Sequence, residues 1–185
     1  MKRICVFLVL VCLFSGCRSQ NRELERALAL RQQMLASQCR FDAEITADYG
    51  DKLYQFSVQC TVDAEGNLDF TVTSPESLSG IRGNISEAGG KLTFDETALY
   101  FPLLADQQLS PVSAPWILTK TLRSGYLTSA GAEGDLVRLS IDDSYQEDAL
   151  NLDIWINRED KPVQADILHN GTRILSVKVD EFHFL

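Results

Sequence analysis

Few residues of this 185-residue chain have the types and spacing that catalysis requires. The two histidines, His169 and His183, lie neither in an HExxH motif nor in a closely spaced group of metal ligands. There is no GxSxG motif to expose a nucleophilic serine on a sharp turn, and no phosphate-binding GxxxxGKS or GxxxxGKT loop. His169 precedes an Asn-Gly turn and His183 stands between two phenylalanines, so we expect both at the surface. The sequence predicts no catalytic residue, no metal site and no cofactor.

One loop concentrates carboxylates. Asp142, Asp143, Glu147 and Asp148 surround Tyr145. Such a density of carboxylates can bind Ca²⁺, but the spacing of an EF-hand loop and its central glycine are missing. A solvated acidic turn between two strands is the favoured interpretation.

The first residues have the features of an export signal. Lys2 and Arg3 precede an apolar run from Ile4 to Phe14, and small residues then lead to Cys17. Eleven apolar residues in a helix span about 16 Å, about half of the hydrocarbon core of a bilayer. The run therefore does not predict a stable transmembrane helix.

The segment Leu13 to Cys17 resembles the bacterial lipobox, in which a cysteine becomes the lipid-modified N-terminus of the mature protein. Phe14 departs from the leucine usual in that motif. We predict a signal peptide over 1–16, lipidation of Cys17, a tether over 17–21 and one domain over 22–185. The alternative is an ordinary secretory signal with an accidental cysteine. The prediction places the protein outside the cytoplasm, lipid-anchored to the bacterial cell membrane.

Composition and charge fit one globular domain that does not bind nucleic acid. The chain is 45% hydrophobic and carries a net charge of -9. A nucleic-acid-binding protein needs cationic side chains to displace the counterions of the phosphates. The function classes left open are binding modules, adaptors and, with least support, enzymes.

Two cysteines remain in the predicted mature domain besides Cys17, and an exported protein can join such a pair as a disulfide. Apolar and polar residues alternate along 41–49 and 54–62, as in two half-buried strands. A two-residue turn at Gly50-Asp51 would place Cys39 and Cys60 as diagonal neighbours on one face. We predict a Cys39–Cys60 disulfide, with two buried free thiols as the alternative.

A helix is predicted between the tether and this hairpin, over 21–37. Leu24, Leu28, Arg31 and Leu35 recur at helical spacing, with Ala27 and Met34 beside them. We expect this stripe to pack on the sheet. A helix lying on the membrane surface is the alternative.

The rest of the chain reads as antiparallel strands with one inserted helix. The helix is predicted to begin near Ser113 or Ala114, with Pro115 in its first turn, and to end at Gly125. Apolar alternation and turn residues predict a sheet of eight to ten strands. The predicted strand positions are 41–49, 52–62, 68–72, 84–86, 92–94, 98–104 (an edge or a strand end), 137–141, 150–156, 163–167 and 175–179.

This order resembles the LolA/LolB superfamily of bacterial lipoproteins and carriers. The resemblance rests on the hairpin of Phe41–Tyr49 and Lys52–Val62, on Ser74-Pro75 followed by Leu78–Ile81, and on the helix start at Pro115–Leu118. It implies an α+β fold. In that fold a curved antiparallel sheet forms an incomplete (half) β-barrel, and the N-terminal and inserted helices lie over its concave face. The chain is also similar to germination lipoproteins of spore-forming bacteria, which bind a cell-wall hydrolase.

The resemblance and the lipobox together predict a non-enzymatic, membrane-anchored lipoprotein that binds a lipid or another apolar ligand. The alternative is an adaptor that binds a protein of the cell envelope, such as a spore-cortex hydrolase. We expect the segment Leu104–Gly125 to form a lid over the concave face. The predicted ligand-lining residues are Trp116, Phe101, Leu122, Phe56 and Phe70. The alternative is that these side chains fill a solid core.

Overall fold

The computed structural model describes residues 22–95, 97–102, 104–105, 108–146 and 148–185. The predicted signal peptide, the tether, Cys17 and Glu147 of the acidic loop lie outside these ranges. The described residues form two α-helices, α1 (22–36) and α2 (Ala114–Ser124), two short 3₁₀ helices (Glu76–Leu78 and Pro111–Ser113) and thirteen strands. The strands are β1 (Cys39–Asp48), β2 (Leu53–Val62), β3 (Leu68–Ser74), β4 (Arg82–Ser86), β5 (Gly89–Phe94), β6 (Thr97–Phe101), β7 (Leu104–Ala105), β8 (Gln108–Leu109), β9 (Tyr126–Glu133), β10 (Leu136–Asp142), β11 (Leu150–Ile156), β12 (Pro162–His169) and β13 (Thr172–Phe184).

Eleven strands form one open antiparallel sheet in the order β6-β5-β4-β3-β2-β1-β13-β12-β11-β10-β9. Each half of the sheet is a meander of consecutive strands. The two meanders join where β1 pairs with β13, the last strand of the chain. Together with the N-terminal helix and the inserted helix, this topology confirms the predicted half-barrel fold class.

The predicted register of the first hairpin is confirmed. Phe41 pairs with Cys60, and Ala43 pairs with Val58. The Tyr49 amide donates to the Lys52 carbonyl at 3.0 Å, which closes the two-residue turn. Gly50 adopts a φ of +85°, a conformation that glycine reaches without steric cost.

The core lies between the concave face of the sheet and the two helices. Every second residue is buried along β1, along 56–62 of β2 and along 175–179 of β13, as the pleat of a half-covered sheet requires. Eight of the eleven residues of α2 are buried, which makes it an interior helix rather than a surface one. Gly125 ends it as predicted and donates its amide to the Thr121 carbonyl at 2.8 Å.

The first helix is present, but the predicted packing stripe is wrong. Leu24, Leu28 and Leu35 are 41%, 46% and 52% exposed. The buried positions of α1 are 23, 27, 30 and 34. Three of them directly precede an exposed leucine, so the helix is rotated by about 100° from the predicted orientation.

Two arginines fix this rotation of α1. Arg26 donates from Nε to the Asp160 carboxylate at 2.6 Å and from Nη2 to the Asn157 carbonyl at 2.5 Å. Arg31 donates to the Leu122 carbonyl at 2.9 Å and to the Gly125 carbonyl at 2.6 Å. Backbone carbonyls at a helix end and in a turn need donors, and these two side chains supply them. The leucines are left facing outwards.

Three strands depart from the predicted set. Strand β9, which forms an edge of the sheet, and the short pair β7–β8 are not among the predicted strands. The last predicted strand ends at 179, whereas β13 continues to Phe184. An irregularity in the β1–β13 pairing, with Glu181 at a φ of +50°, shifts the pleat so that Phe182 is buried.

Candidate functional site

The concave face is not covered along its whole length. Near the β5–β6 edge Phe94 and Leu99 are 55% and 62% exposed, and Leu92 and Phe101 are half-buried. Leu92 pairs with Leu99 across the strands, and both lie on the face that carries the core. The apolar interior therefore continues outwards into a solvent-accessible surface.

A groove of about 560 Å³ lies at this uncovered end, and we call it the aromatic groove. Its walls come from the β1–β2 hairpin tip, from β5 and β6, and from the residues that precede α2. They are Tyr49, Asp51, Lys52, Tyr54, Leu92, Phe101, Pro102, Leu109, Ser110 and Pro111. The groove is open to solvent, and its walls combine apolar side chains with the polar groups of Asp51, Lys52 and Ser110.

Tyr49 holds one wall of the groove in place. Its hydroxyl donates a hydrogen bond to the Leu109 carbonyl. Its ring meets that of Tyr54 edge to face, with the centroids 6.2 Å apart. Burial, and to a smaller extent the neighbouring Tyr54, raise the pKa of Tyr49. At neutral pH the hydroxyl is therefore protonated and available as a donor.

Glycines let two aromatic rings lie flat against the sheet. A Cβ atom at Gly90 would overlap the Phe101 ring, and one at Gly83 would overlap the Phe70 ring. Each ring occupies the space that a side chain on the neighbouring strand would fill. Gly90 thus determines where the Phe101 wall of the aromatic groove can lie.

A second groove of about 440 Å³ lies on the other side of the Tyr49–Leu109 contact. Its walls are Asp48, Tyr49, Gly50, Leu109, His169, Thr172, Arg173 and Ile174, and we call it the polar groove. Arg173 reaches Asp166 at 3.3 Å. His169 is the last residue of β12, the predicted strand-end position. Its Nε2 lies 3.5 Å from the side-chain Nδ2 of Asn170.

The structure places the five predicted ligand-lining residues in two environments. Trp116, Leu122, Phe56 and Phe70 are all buried in the packed core, and none of them lines either groove. Phe101 lines the aromatic groove. Their predicted role in ligand binding stays a prediction.

The inserted helix is tied to its surroundings by polar contacts. Trp116 donates from Nε1 to the Gly66 carbonyl at 3.1 Å. Arg123 donates to the Met34 carbonyl at 2.7 Å and to the Ala64 carbonyl. These bonds join α2 to α1 and to the β2–β3 turn.

The predicted disulfide is not formed in the structure. Cys39 and Cys60 are buried free thiols. They are diagonal neighbours, since Cys39 pairs with Val62 and Cys60 pairs with Phe41. Diagonal positions across an antiparallel pair lie about 7–8 Å apart, beyond the usual reach of a disulfide. Burial raises the pKa of Cys39 to about 12 and that of Cys60 well above its usual value, so both thiols stay protonated.

Within the ranges that the structure describes, no group of three or more His, Cys, Asp or Glu side chains is arranged to hold a metal ion. The same residues include no helix long and apolar enough to span a membrane. In the acidic loop, Asp143 accepts from the Leu150 amide at 2.8 Å and Asp142 accepts from the Asn151 side chain at 2.7 Å. These two carboxylates therefore brace the turn between β10 and β11.

Sequence reasoning missed most of the groove. Tyr49 and Tyr54 flank the Gly50-Asp51 turn, and two aromatic residues at a hairpin tip are a signal that could have been used. Leu109 gave no such signal in the sequence. It reaches the groove because the chain between β6 and α2 passes beside Tyr49.

The chain is similar in structure to several solved proteins. An uncharacterized conserved protein from Thermus thermophilus is 13% identical; the alignment covers 88% of this chain and 87% of that one, with a TM-score of 0.49. A LolA superfamily protein from Nitrosomonas europaea is 8% identical, with 86% and 93% covered and a TM-score of 0.43. The lipoprotein LppX of Mycobacterium tuberculosis is 14% identical, with 84% and 94% covered and a TM-score of 0.38.

The likeness is one of fold. The LolA superfamily is the one whose fold the sequence analysis predicts. No protein-family model matches the chain, and no curated protein sequence matches it.

Proposed function

We propose that this protein is a non-enzymatic, extracytoplasmic lipoprotein that binds a lipid acyl chain or a similar apolar ligand in the aromatic groove. The observation that carries the proposal is the uncovered apolar end of the concave face, where the groove continues the core surface outwards. Each methylene group moved from water into such a surface contributes about 0.8 kcal/mol. Anchoring through a lipid on Cys17 is part of the proposal.

The groove suits a ligand that is mostly apolar with one polar end. Leu92, Phe101, Leu109 and Pro111 supply apolar contact, and Asp51 and Lys52 supply one charge of each sign. An acyl chain with a polar head group that Lys52 can bind matches this distribution. Trp116, Leu122, Phe56 and Phe70 would line a deeper site only if α2 moved away from the sheet.

A titration with a fluorescent fatty-acid analogue tests the groove. We expect saturable binding, weakened about tenfold by Leu92→Gln, since that factor corresponds to about 1.4 kcal/mol of lost apolar contact. The matched control is Leu53→Gln, which makes the same change at a residue that is 68% exposed and points to the opposite face of β2. Absence of saturable binding, or equal weakening by both variants, would contradict the proposal.

Trp116 emission separates the groove from an interior site. The ring is buried beside Gly66, away from the groove walls. A ligand in the aromatic groove should leave its emission unchanged, whereas a ligand that displaces α2 should shift it. Comparing the wild type with Trp155→Phe assigns the signal to Trp116.

The adaptor function is the second candidate, favoured by β6. This strand is an edge of the sheet, and Leu99 and Tyr100 on it are 62% and 75% exposed. An open apolar edge can accept a strand from another protein. Native mass spectrometry of the purified protein distinguishes the two, because a bound lipid adds a mass of several hundred daltons and a protein partner adds far more.

A further inference from the structure

The outward face of α1 carries an apolar stripe that no described element covers. Leu24, Leu28 and Leu35 are four and seven residues apart, which places them on one side of the helix. All three are more than 40% exposed. Single exposed leucines are ordinary, but a row of them along one helix face marks an interaction surface.

The position of the stripe in the chain limits what can cover it. The first described residue of α1 is five residues after Cys17. An extended chain spans at most about 3.6 Å per residue, so a lipid on Cys17 would hold the start of α1 within about 18 Å of a bilayer surface.

The segment from Cys17 to Arg40 is basic in sequence, which favours the same surface. Between residues 17 and 40, five arginines stand against two glutamates, a net charge of +3. Residues 41–185 carry a net charge of -14. An anionic leaflet attracts basic segments, so Arg18 and Arg22, between Cys17 and the first turn of α1, favour the approach of this helix to the lipid.

We propose that α1 lies on the bilayer surface, with Leu24, Leu28 and Leu35 inserted at the boundary between headgroups and acyl chains. The proposal rests on the anchoring at Cys17 proposed above. The helix then has two partners, because Ala27, Leu30 and Met34 pack on the protein while the stripe contacts lipid. The lipid on Cys17 holds the protein at the bilayer, and the leucine stripe determines how the domain is oriented on it.

Quenching by brominated lipids tests the proposal on the full lipidated chain. The protein is reconstituted in vesicles of phosphatidylcholine and phosphatidylglycerol with brominated acyl chains. An environment-sensitive fluorophore is placed on Gln32→Cys, beside the stripe, or on Thr172→Cys, at the opposite end of the sheet. Cys39 and Cys60 are buried and stay unlabelled. We expect emission from position 32 to fall about twofold while that from position 172 stays constant, since an interfacial helix sits about 5–10 Å deep.

A matched pair of triple variants separates the stripe from general surface polarity. L24S/L28S/L35S should abolish the quenching at position 32. L53S/L78S/L185S removes three exposed leucines elsewhere and should leave that quenching unchanged.

Vesicle flotation keeps the two proposals distinguishable. Protein that floats with equal quenching at both positions overturns the inference about α1 and leaves the anchor standing. Protein that does not float overturns the anchoring and the inference with it. A dimer with position 32 shielded from lipid would show that a second copy covers the stripe, which also overturns the inference.

Discussion

At the scale of single residues, glycines without side chains shape the candidate site. The Phe101 ring lies where a Cβ on Gly90 would be, and Phe101 is a wall of the aromatic groove. A methyl group at Gly90 must therefore displace the ring or the strand. The Phe101 wall can lie where it does because Gly90 on β5 has no Cβ atom.

The variant Gly90→Ala should lower the free energy of unfolding by about 1–3 kcal/mol, the usual cost of overpacking. It should also weaken binding of the fatty-acid analogue, because a displaced Phe101 ring changes the shape of this wall of the groove. Urea unfolding and the binding titration measure the two effects. Gly131→Ala is the control, since no atom lies within 4 Å of the added Cβ. Equal stability of the two variants would show that the ring has room to move.

The two buried thiols predict an alkaline loss of stability. The unfolded chain releases their protons near pH 9, whereas folded Cys39 keeps its proton up to about pH 12. The stabilisation is therefore fully present below pH 9 and is lost as the pH rises towards 12. Urea unfolding across this range should show a steeper decline for the wild type than for C39A/C60A. Burial also raises the pKa of Tyr49, so this residue lowers the free energy of unfolding at alkaline pH equally in the wild type and in C39A/C60A.

Thiol counting on the unfolded, unreduced domain over 22–185, which contains only Cys39 and Cys60, checks the same pair. Two reactive thiols are expected, with slow reaction before unfolding because both are buried. A count of zero would restore the disulfide that the sequence analysis predicted.

The sequence was sufficient where the turn and the pleat decide the outcome. The Gly50-Asp51 turn and the alternation on both sides of it predict the pairing of Phe41 with Cys60, and the structure confirms it. It was insufficient for the aromatic groove, because Leu92 and Leu109 come together only through the path of the chain between β5 and α2.

At the scale of elements, the packing of the two helices depends on arginines. Arg31 on α1 donates two hydrogen bonds to carbonyls at the end of α2, where no intrahelical donor remains. Arg123 on α2 returns a bond to the Met34 carbonyl on α1. Burial lowers the pKa of Arg31, as expected for a guanidinium held between two helices.

Replacement of Arg31 by methionine should destabilise the protein by about 2 kcal/mol, because two buried carbonyls lose a charged donor. Gln32→Met makes a similar change on the exposed side of α1 and should shift stability by less than about 0.5 kcal/mol. Urea unfolding of both variants measures the difference. Equal shifts would mean that Arg31 contributes only its aliphatic stem.

These contacts explain why the predicted packing stripe of α1 was wrong, and the missed strand β9 has a separate cause. The leucines of α1 form the more hydrophobic stripe, so hydrophobicity alone selects them for the core. The arginines that rotate the helix find their acceptors in distant segments, at Asn157 and Leu122. Strand β9 was missed because an exposed edge strand of small residues, with the sequence YLTSAGAE, has no apolar alternation to reveal it.

At the scale of the whole molecule, helix α1 and the Tyr49 wall shared by both grooves lie at opposite ends of β1. Helix α1 leads into Cys39 at the start of β1, whereas Tyr49 and Gly50 follow the end of that strand. His169 and Thr172 of the polar groove lie at the same end as Tyr49. If α1 rests on the membrane, both grooves face away from it. A ligand would then arrive from the aqueous side or from another protein.

Replacing Cys17 by alanine should release the protein from the membrane fraction. Two acyl chains anchor firmly, and a three-leucine stripe alone gives reversible binding. Fractionation of cells that express the wild type or the variant measures the distribution. A variant that stays in the membrane pellet after a high-salt wash would contradict lipidation at this residue.

The pairing of β1 with β13 has a consequence for how the chain reaches its final form. Cys39 pairs with Phe184, so the central seam of the sheet joins the two ends of the domain. If the chain is exported from its N-terminus, as the proposed lipoprotein would be, it holds two separate meanders until β13 has emerged. Deletion of 172–185 should leave β1 and β12 as unpaired edges, detectable as rapid proteolysis of a chain that is otherwise almost complete. Formation of such a sheet is completed by β13, and until β13 pairs with β1 and β12 these aggregation-prone edges would need a chaperone's protection.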